Sequence, residues 1–147
     1  MIPRPGDHVE ARDRGTISIF TVLFTLSVIL LAGLVVDGGL AIHARQRAYD
    51  IAEQAARAGA NDIDEDVLRQ TGKAQINKDQ QAVCTKAADL VAAYDSQATV
   101  DNCDRSDDQV TVTVHITVQL QLLSIVPGFS AFTMTGTASA HPDEGNP

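Results

Sequence analysis

The feature that most constrains this chain is a run of 21 residues without a charged side chain, residues 16–36, which lies between Arg14 and Asp37. An α-helix rises about 1.5 Å per residue, so a helix of this length spans the roughly 30 Å hydrocarbon core of a bilayer. Fourteen of these residues are Leu, Ile, Val or Phe. Their insertion free energies add up to about −6 kcal/mol. The sequence therefore predicts a membrane-spanning helix over residues 16–36.

A removable signal peptide is the main alternative for this segment. Its apolar region would have about 7–15 residues, followed by a cleavage site with small residues. The run here is longer, and the nearest candidate site, Ile42-His43-Ala44, fits poorly. The core helix of a soluble protein rarely extends for about six turns without a charge. We therefore expect a retained anchor, and a secreted soluble protein only if the span is removed.

Basic residues on either side of the span predict its orientation. Three arginines precede it and two follow it at a comparable distance: Arg4, Arg12, Arg14, Arg45 and Arg47. This excess favours a cytoplasmic N-terminus and an extracytoplasmic C-terminal part. Because acidic residues balance the arginines of the tail, the formal net charge of −8 lies entirely beyond the span. An acidic exported part argues against nucleic acid or anionic lipid as its partner.

The two cysteines of the chain, Cys84 and Cys103, both lie in the exported part. In an oxidising compartment, a lone pair in a small domain most simply forms one disulfide. Closing a loop of about twenty residues would stabilise the fold by roughly 3 kcal/mol. Two free thiols are the alternative. A metal site would need more ligands than two cysteines and scattered histidines provide.

The helix is predicted to continue beyond the membrane to residue 60 as a stem. Ala41, Ala48 and Ala55 recur seven residues apart, which is typical of a surface that packs against another helix or a sheet. The high helix propensity of alanine is the simpler explanation. Gly38 and Gly39 form the weak point of this helix, where a bend could lie. The small residues assigned to the packing surface are Ala41, Ala44, Ala48, Ala52, Ala55, Ala56 and Gly59.

Charged residues at the base of the stem allow two interpretations. Asp37 either marks the end of the span or pairs with a basic group of a neighbouring subunit. Under the second interpretation, Arg45 and Arg47 belong to the same inter-subunit contact. Such pairing would set the stagger between parallel stems.

The remainder of the exported part predicts a small α+β head. A second helix is expected within residues 79–94, after an acidic break over residues 61–66 that Asp62 or Asp64 caps. Residues 71–78 fit either helix or loop. Alternation of apolar and polar side chains predicts antiparallel strands over residues 98–100, 110–122 and 132–140, with a polar turn over residues 101–108.

The fold class is thus α+β, with one membrane helix, a second helix and a sheet of about three strands whose apolar face a helix must cover. We expect a cytoplasmic tail over residues 1–15 and a span over residues 16–36. The stem then covers residues 37–60, the head residues 61–140 and a flexible tail residues 141–147.

This order of parts resembles that of TadE/TadG-like pilus-assembly proteins. The resemblance extends over roughly residues 14–62. It is carried by Arg14-Gly15 before the span, by Asp37 and Gly39 after it, by Arg45 and Arg47, and by the run Ala52-Glu53-Gln54-Ala55-Ala56-Arg57-Ala58-Gly59-Ala60.

The resemblance implies a minor pilin-like, or pseudopilin-like, component of a tight-adherence (Flp) pilus or a related secretion machine in a bacterial cell membrane. Its partners would be other pilin-like or machine membrane proteins, with a homo-oligomer through the stem as one form. Gly15 is the candidate peptidase site. Prepilins that are processed there carry a glutamate five residues later, whereas this chain has Phe20, which argues against cleavage.

No constellation of catalytic or cofactor-binding residues is recognisable in the sequence, so we expect neither an enzyme nor a cofactor. The four histidines are dispersed along the chain, and general acid–base catalysis needs placed partners. The pattern Asp62-x-Asp64-x-Asp66 resembles the start of a calcium loop, but Val67 and Lys73 occupy its glycine and bidentate-acid positions. The alternative function is a membrane-tethered binding or sensory module outside any fibre.

Overall fold

One long helix runs through both the predicted span and the predicted stem. The computed structural model describes residues 10–125, 127–128 and 130–142, and helix α1 covers Glu10–Ala60, 51 residues. It passes through Gly38 and Gly39 without interruption. Two glycines cost a helix about 2 kcal/mol relative to alanine, and contacts of α1 with the rest of the chain on both sides of the pair, at Asp37 and Ala44, offset that cost.

Two shorter helices follow, each with an aspartate at its N-terminus. Helix α2 covers Glu65–Thr71, and the Asp64 side chain accepts hydrogen bonds from two backbone N–H groups of its first turn. Helix α3 covers Gln80–Tyr94 and is capped in the same way by Asp79. The sequence predicted α3 and offered Asp64 as a cap, whereas α2 was not predicted because a seven-residue helix carries little periodicity.

Three strands form an antiparallel meander in the order β1-β2-β3. Strand β1 covers Ala98–Arg105, β2 covers Val110–Gln119 and β3 covers Ala131–Ala140. Strand β1 continues through half of the predicted polar turn, since an edge strand can expose polar side chains while its backbone pairs with β2 across a bulge between Val100 and Asn102. The α+β prediction is confirmed.

The core lies between one face of the sheet and helices α1 and α3. Strand β2 alternates as predicted, and the apolar members at its start are buried: Val110, Val112, Val114 and Ile116. Helix α1 crosses β2 and β3, while α3 covers β1 and packs beside α1. The outer half of α1 is therefore the central helix of the head, and the head and the predicted stem share one hydrophobic core.

The lengths of helix and strand fix where their ends meet. From Asp37 to Ala60 an α-helix rises about 35 Å, and the ten residues of β2 extend over about 34 Å. At one end Gly59 lies against Val110, at the start of β2. At the other end Asp37 bonds to the turn that follows β2. The sheet thus lies along the whole extracytoplasmic part of the helix.

Gly136 is the point of closest approach between α1 and the sheet. A β-carbon added there would lie 2.5 Å from the carbonyl carbon of Ala48 and 2.6 Å from Cα of Tyr49, and closer still to the backbone nitrogen of Tyr49. These are backbone atoms that cannot move aside without shifting the helix. Glycine at this position therefore sets the distance between α1 and β3.

A disulfide joins α3 to the edge strand β1. Cys84 and Cys103 are bonded, with their Cα atoms 5.8 Å apart and 19 residues between them in sequence. The predicted bridge is thus present in the structure. It closes the segment that contains most of α3 and the first part of β1, which otherwise contact each other through a small apolar area.

We expect Gly136→Ala to destabilise the head, because its methyl group would overlap the backbone of α1. Overpacking of this kind costs about 1–3 kcal/mol. Chemical denaturation of the full chain in detergent micelles measures the loss. Gly39→Ala is the matched control, since a β-carbon there meets nothing within 4 Å and should be neutral or stabilising. Equal stability of the two variants would contradict the close contact.

Reduction of the disulfide should lower the free energy of unfolding by about 3 kcal/mol, because the reduced chain regains the entropy of an open loop of about twenty residues. Thermal unfolding with and without reductant measures the change. A variant carrying both Cys84→Ser and Cys103→Ser should unfold like the reduced protein and should not respond to reductant. An unchanged unfolding temperature after complete reduction would show that the bridge contributes nothing.

Candidate functional site

The inner half of α1 projects from the head as an apolar rod. Its large side chains from Ile17 to Val36 are exposed, and within the described residues this is one helix long and apolar enough to cross a membrane. Three polar side chains in it are internally bonded: the hydroxyls of Thr21, Thr25 and Ser27 donate to carbonyls one turn earlier, at 2.8–2.9 Å. The rod therefore exposes apolar groups with few free donors, as a bilayer requires.

Asp37 terminates this rod and is bound by the head. Its side chain is only 2 % exposed. The carboxylate accepts hydrogen bonds from the backbone N–H groups of three successive residues, Gln121 at 3.1 Å, Leu122 at 3.2 Å and Leu123 at 2.7 Å. Bonds from N–H groups to an ionised carboxylate are stronger than bonds between neutral groups. Asp37 thus fixes the turn between β2 and β3 to the outer end of the span.

This arrangement differs from the inter-subunit pairing that the sequence suggested for Asp37. In the single chain the partner of the carboxylate is a set of backbone donors and not an arginine. The sequence could not identify them, because backbone N–H groups carry no residue signature. The one available signal was a turn of mixed Leu and Gln residues immediately after the end of a strand.

The two arginines proposed with Asp37 lie farther up the helix. Arg47 pairs with Asp95, at the end of α3, with 3.2 Å between Nε and Oδ2. Arg45 lies in a shallow groove of about 490 Å³, which Tyr49, Asp50 and the edge strand β3 also line. Neither arginine is bonded to Asp37, so the structure does not bring the three proposed charges together.

The small residues of the stem lie mostly inside the head. The buried members are Ala44, Ala48, Ala52, Ala55, Ala56 and Gly59, and Ala41, nearest the membrane, is half-buried. Their partner is the sheet together with α3. The sequence analysis allowed packing against a helix or a sheet, and within one chain this surface is occupied by the head.

Gly15 lies within α1, five residues before Phe20. The predicted cytoplasmic tail over residues 1–9 and the flexible tail over residues 143–147 lie outside the described residues. Whether the chain is processed at Gly15 stays a prediction.

The acidic and histidine side chains have structural partners. Asp62 accepts hydrogen bonds from Lys86 at 2.9 Å and from Asn77 at 3.2 Å, while Asp64 caps α2. On the outer face of the sheet, Nε2 of His115 lies 2.7 Å from the hydroxyl of Thr99. In the part of the chain that the structure describes, no three His, Cys, Asp or Glu residues are grouped so that they could hold a metal ion.

Comparison with known proteins identifies the segment that contains this site. Residues 15–62 match the model of a family described as Flp pilus-assembly TadE/G-like. No curated protein and no solved structure is detectably similar to the chain. The match covers the apolar rod, Asp37 and the small-residue surface, and it confirms the resemblance seen in the sequence. It supports a role related to the Tad/Flp pilus, in a protein whose single apolar helix suits membrane anchoring of a C-terminal domain.

We expect Asp37→Ala to release the turn after β2, because three backbone donors lose their acceptor. The loss of hydrogen bonds to a charged group costs about 2–3 kcal/mol. Amide hydrogen exchange at residues 121–123 should then accelerate by roughly 100-fold, as measured by mass spectrometry of the full chain in micelles.

Asp50→Ala is the matched control, because Asp50 is an exposed carboxylate on the same helix. It should leave exchange at residues 121–123 unchanged. Asp37→Asn should give an intermediate acceleration, since a neutral amide oxygen still accepts but binds more weakly. If the alanine variant exchanges like the wild-type chain, Asp37 does not hold the turn.

Proposed function

Residues 15–62 form a TadE/G-like pilus-assembly segment, and we propose that the chain is a minor pilin-like structural component of a Tad/Flp-type pilus or a related secretion machine. It associates with other pilin-like membrane proteins through helix α1. The observation that carries the proposal is the exposed apolar rod from Ile17 to Val36, which lies within the matched segment and has no partner in its own chain.

The association is assigned to the rod and not to the upper part of the stem. Most of the small residues from Ala44 to Gly59 contact the head of the same chain, so they offer no free surface to a second stem. In a bilayer, helices associate by close packing and not by hydrophobic burial alone. A homo-oligomer would therefore form through the same rod, with the heads lying outside the contact.

We also propose a cytoplasmic N-terminus and an extracytoplasmic head in a bacterial cell membrane. The arginine excess before the span supports this orientation. The disulfide between Cys84 and Cys103 supports it independently, because such bridges persist in oxidising compartments. Because Phe20 replaces the expected glutamate, the chain keeps its N-terminus and stays uncleaved at Gly15.

A membrane-tethered binding module is the second candidate. The groove beside Arg45 and Tyr49, about 490 Å³ in volume, favours it, since an arginine and a tyrosine at an unpaired strand edge can bind a polar ligand or an extended peptide. This function requires only that the helix anchors the head. Exchange of the rod for an unrelated apolar helix therefore separates the two candidates.

Deletion of the gene in the bacterium that encodes the chain should abolish surface pili, and the wild-type gene should restore them. A chain whose residues 17–36 are replaced by leucine and alanine in scrambled order should reach the membrane with its disulfide formed but should not restore pili. Full restoration by this variant would show that the rod is only an anchor. Immunogold counting of fibres measures the result.

Single cysteines placed along the rod should cross-link between chains at positions that recur every three to four residues. Suitable positions are Val22, Leu26, Ile29 and Leu30, and the native cysteines do not interfere because they are bonded to each other. Ala52→Cys is the matched control, since position 52 is buried in the head and should give no adduct. Absence of adducts along the whole rod, in membranes that contain the complete machine, would contradict association through α1.

A further inference from the structure

The turn that Asp37 holds exposes large apolar side chains next to the membrane-spanning rod. Leu122 is 46 % exposed and Ile125 is 84 % exposed, the highest value among the large apolar side chains that the structure describes. A short 3-10 turn, Leu123–Ile125, presents them. We define the membrane-facing turn as Leu122, Leu123 and Ile125.

The membrane-facing turn lies level with the last turn of the apolar rod. A β-carbon at Gly33 would lie 3.4 Å from Cβ of Leu122 and 3.8 Å from Cδ2 of Leu123. Gly33 precedes Asp37 by four residues, so this contact lies about 6 Å below the end of the rod, measured along the helix axis. Side chains at that level adjoin the lipid that surrounds residues 16–36.

The polar backbone groups of this turn are already bonded, which is the condition for entering an apolar medium. Asp37 accepts the N–H groups of Gln121, Leu122 and Leu123. The hydroxyl of Ser124 donates to the carbonyl of Gln121 at 3.2 Å. No charged residue occurs in the sequence from residue 110 to residue 142, so no formal charge of this segment would have to leave water.

The opposite end of the sheet has the reverse character. The turn between β1 and β2 contains Ser106, Asp107 and Asp108, all exposed, and it lies one strand length away from the membrane-facing turn. The head is therefore apolar at the end beside the rod and acidic at the end remote from it. This asymmetry is that of a domain resting on a bilayer surface.

We propose that the membrane-facing turn inserts into the outer interface of the bilayer and forms a second membrane contact beside α1. A single helix lets a head rotate and tilt freely, whereas two contacts at one end of the sheet hold it upright. The ligand is the acyl boundary of a lipid leaflet, recognised by apolar side chains without a charge requirement. This inference rests on membrane anchoring and not on assembly into a pilus.

The test uses the full chain in phosphatidylcholine vesicles at about one protein per several thousand lipids. Ile125→Cys is labelled with an environment-sensitive fluorophore while the native disulfide stays closed. Asp107→Cys is the matched control at the remote end of the sheet, and it has the same distribution of orientations in the vesicles. Iodide in the buffer reports exposure to water, and lipids with a nitroxide on the upper acyl chain report contact with the bilayer.

We expect iodide to quench the label at position 125 roughly fivefold less than the label at position 107, with the opposite order for the nitroxide lipid. Equal quenching by iodide at both positions would overturn the proposal. Protection from iodide that disappears on further dilution with lipid would also overturn it, because the turn would then be covered by a second protein chain. A pilus-assembly defect changes neither measurement.

Discussion

The close contact between α1 and the sheet at Gly136 is the constraint on which the rest of the structure depends. Because the helix backbone at Ala48 and Tyr49 lies directly on β3, only small side chains fit along this line. The contact holds the sheet parallel to the helix axis, which brings the end of β2 level with the end of the span. The bonds of Asp37 to the turn after β2 are available only in that alignment.

Asp37 converts this packing into a fixed relation between membrane and head. A buried carboxylate needs partners that replace its hydration, and three N–H groups of one turn provide them. The arrangement needs no cation, so it is complete within one chain. Helix, turn and head therefore end at the same level, and the uninterrupted α1 transmits any movement of the rod to the head as a rigid body.

The two surfaces left free have different chemistry. The rod is apolar and unpartnered, whereas the outer face of the sheet is uncharged and rich in hydroxyl groups, with cross-strand contacts such as Thr111 to Ser139 at 2.8 Å and Thr113 to Thr137 at 3.0 Å. Such pairs stabilise a sheet that faces water on one side. A protein of this construction meets lipid and other membrane helices through one end and solvent through the other.

The sequence by itself determined the elements that depend on local pattern. A run of 21 uncharged residues and the alternation along β2 each specify an element, because length and period are properties of the chain alone. It also indicated α3, its class of fold and the pair Cys84 and Cys103. Tertiary structure alone decided that the alanines of the stem face the sheet of their own head, and that Asp37 meets a turn 84–86 residues away. Those outcomes depend on long-range packing and on backbone donors, which no residue type encodes.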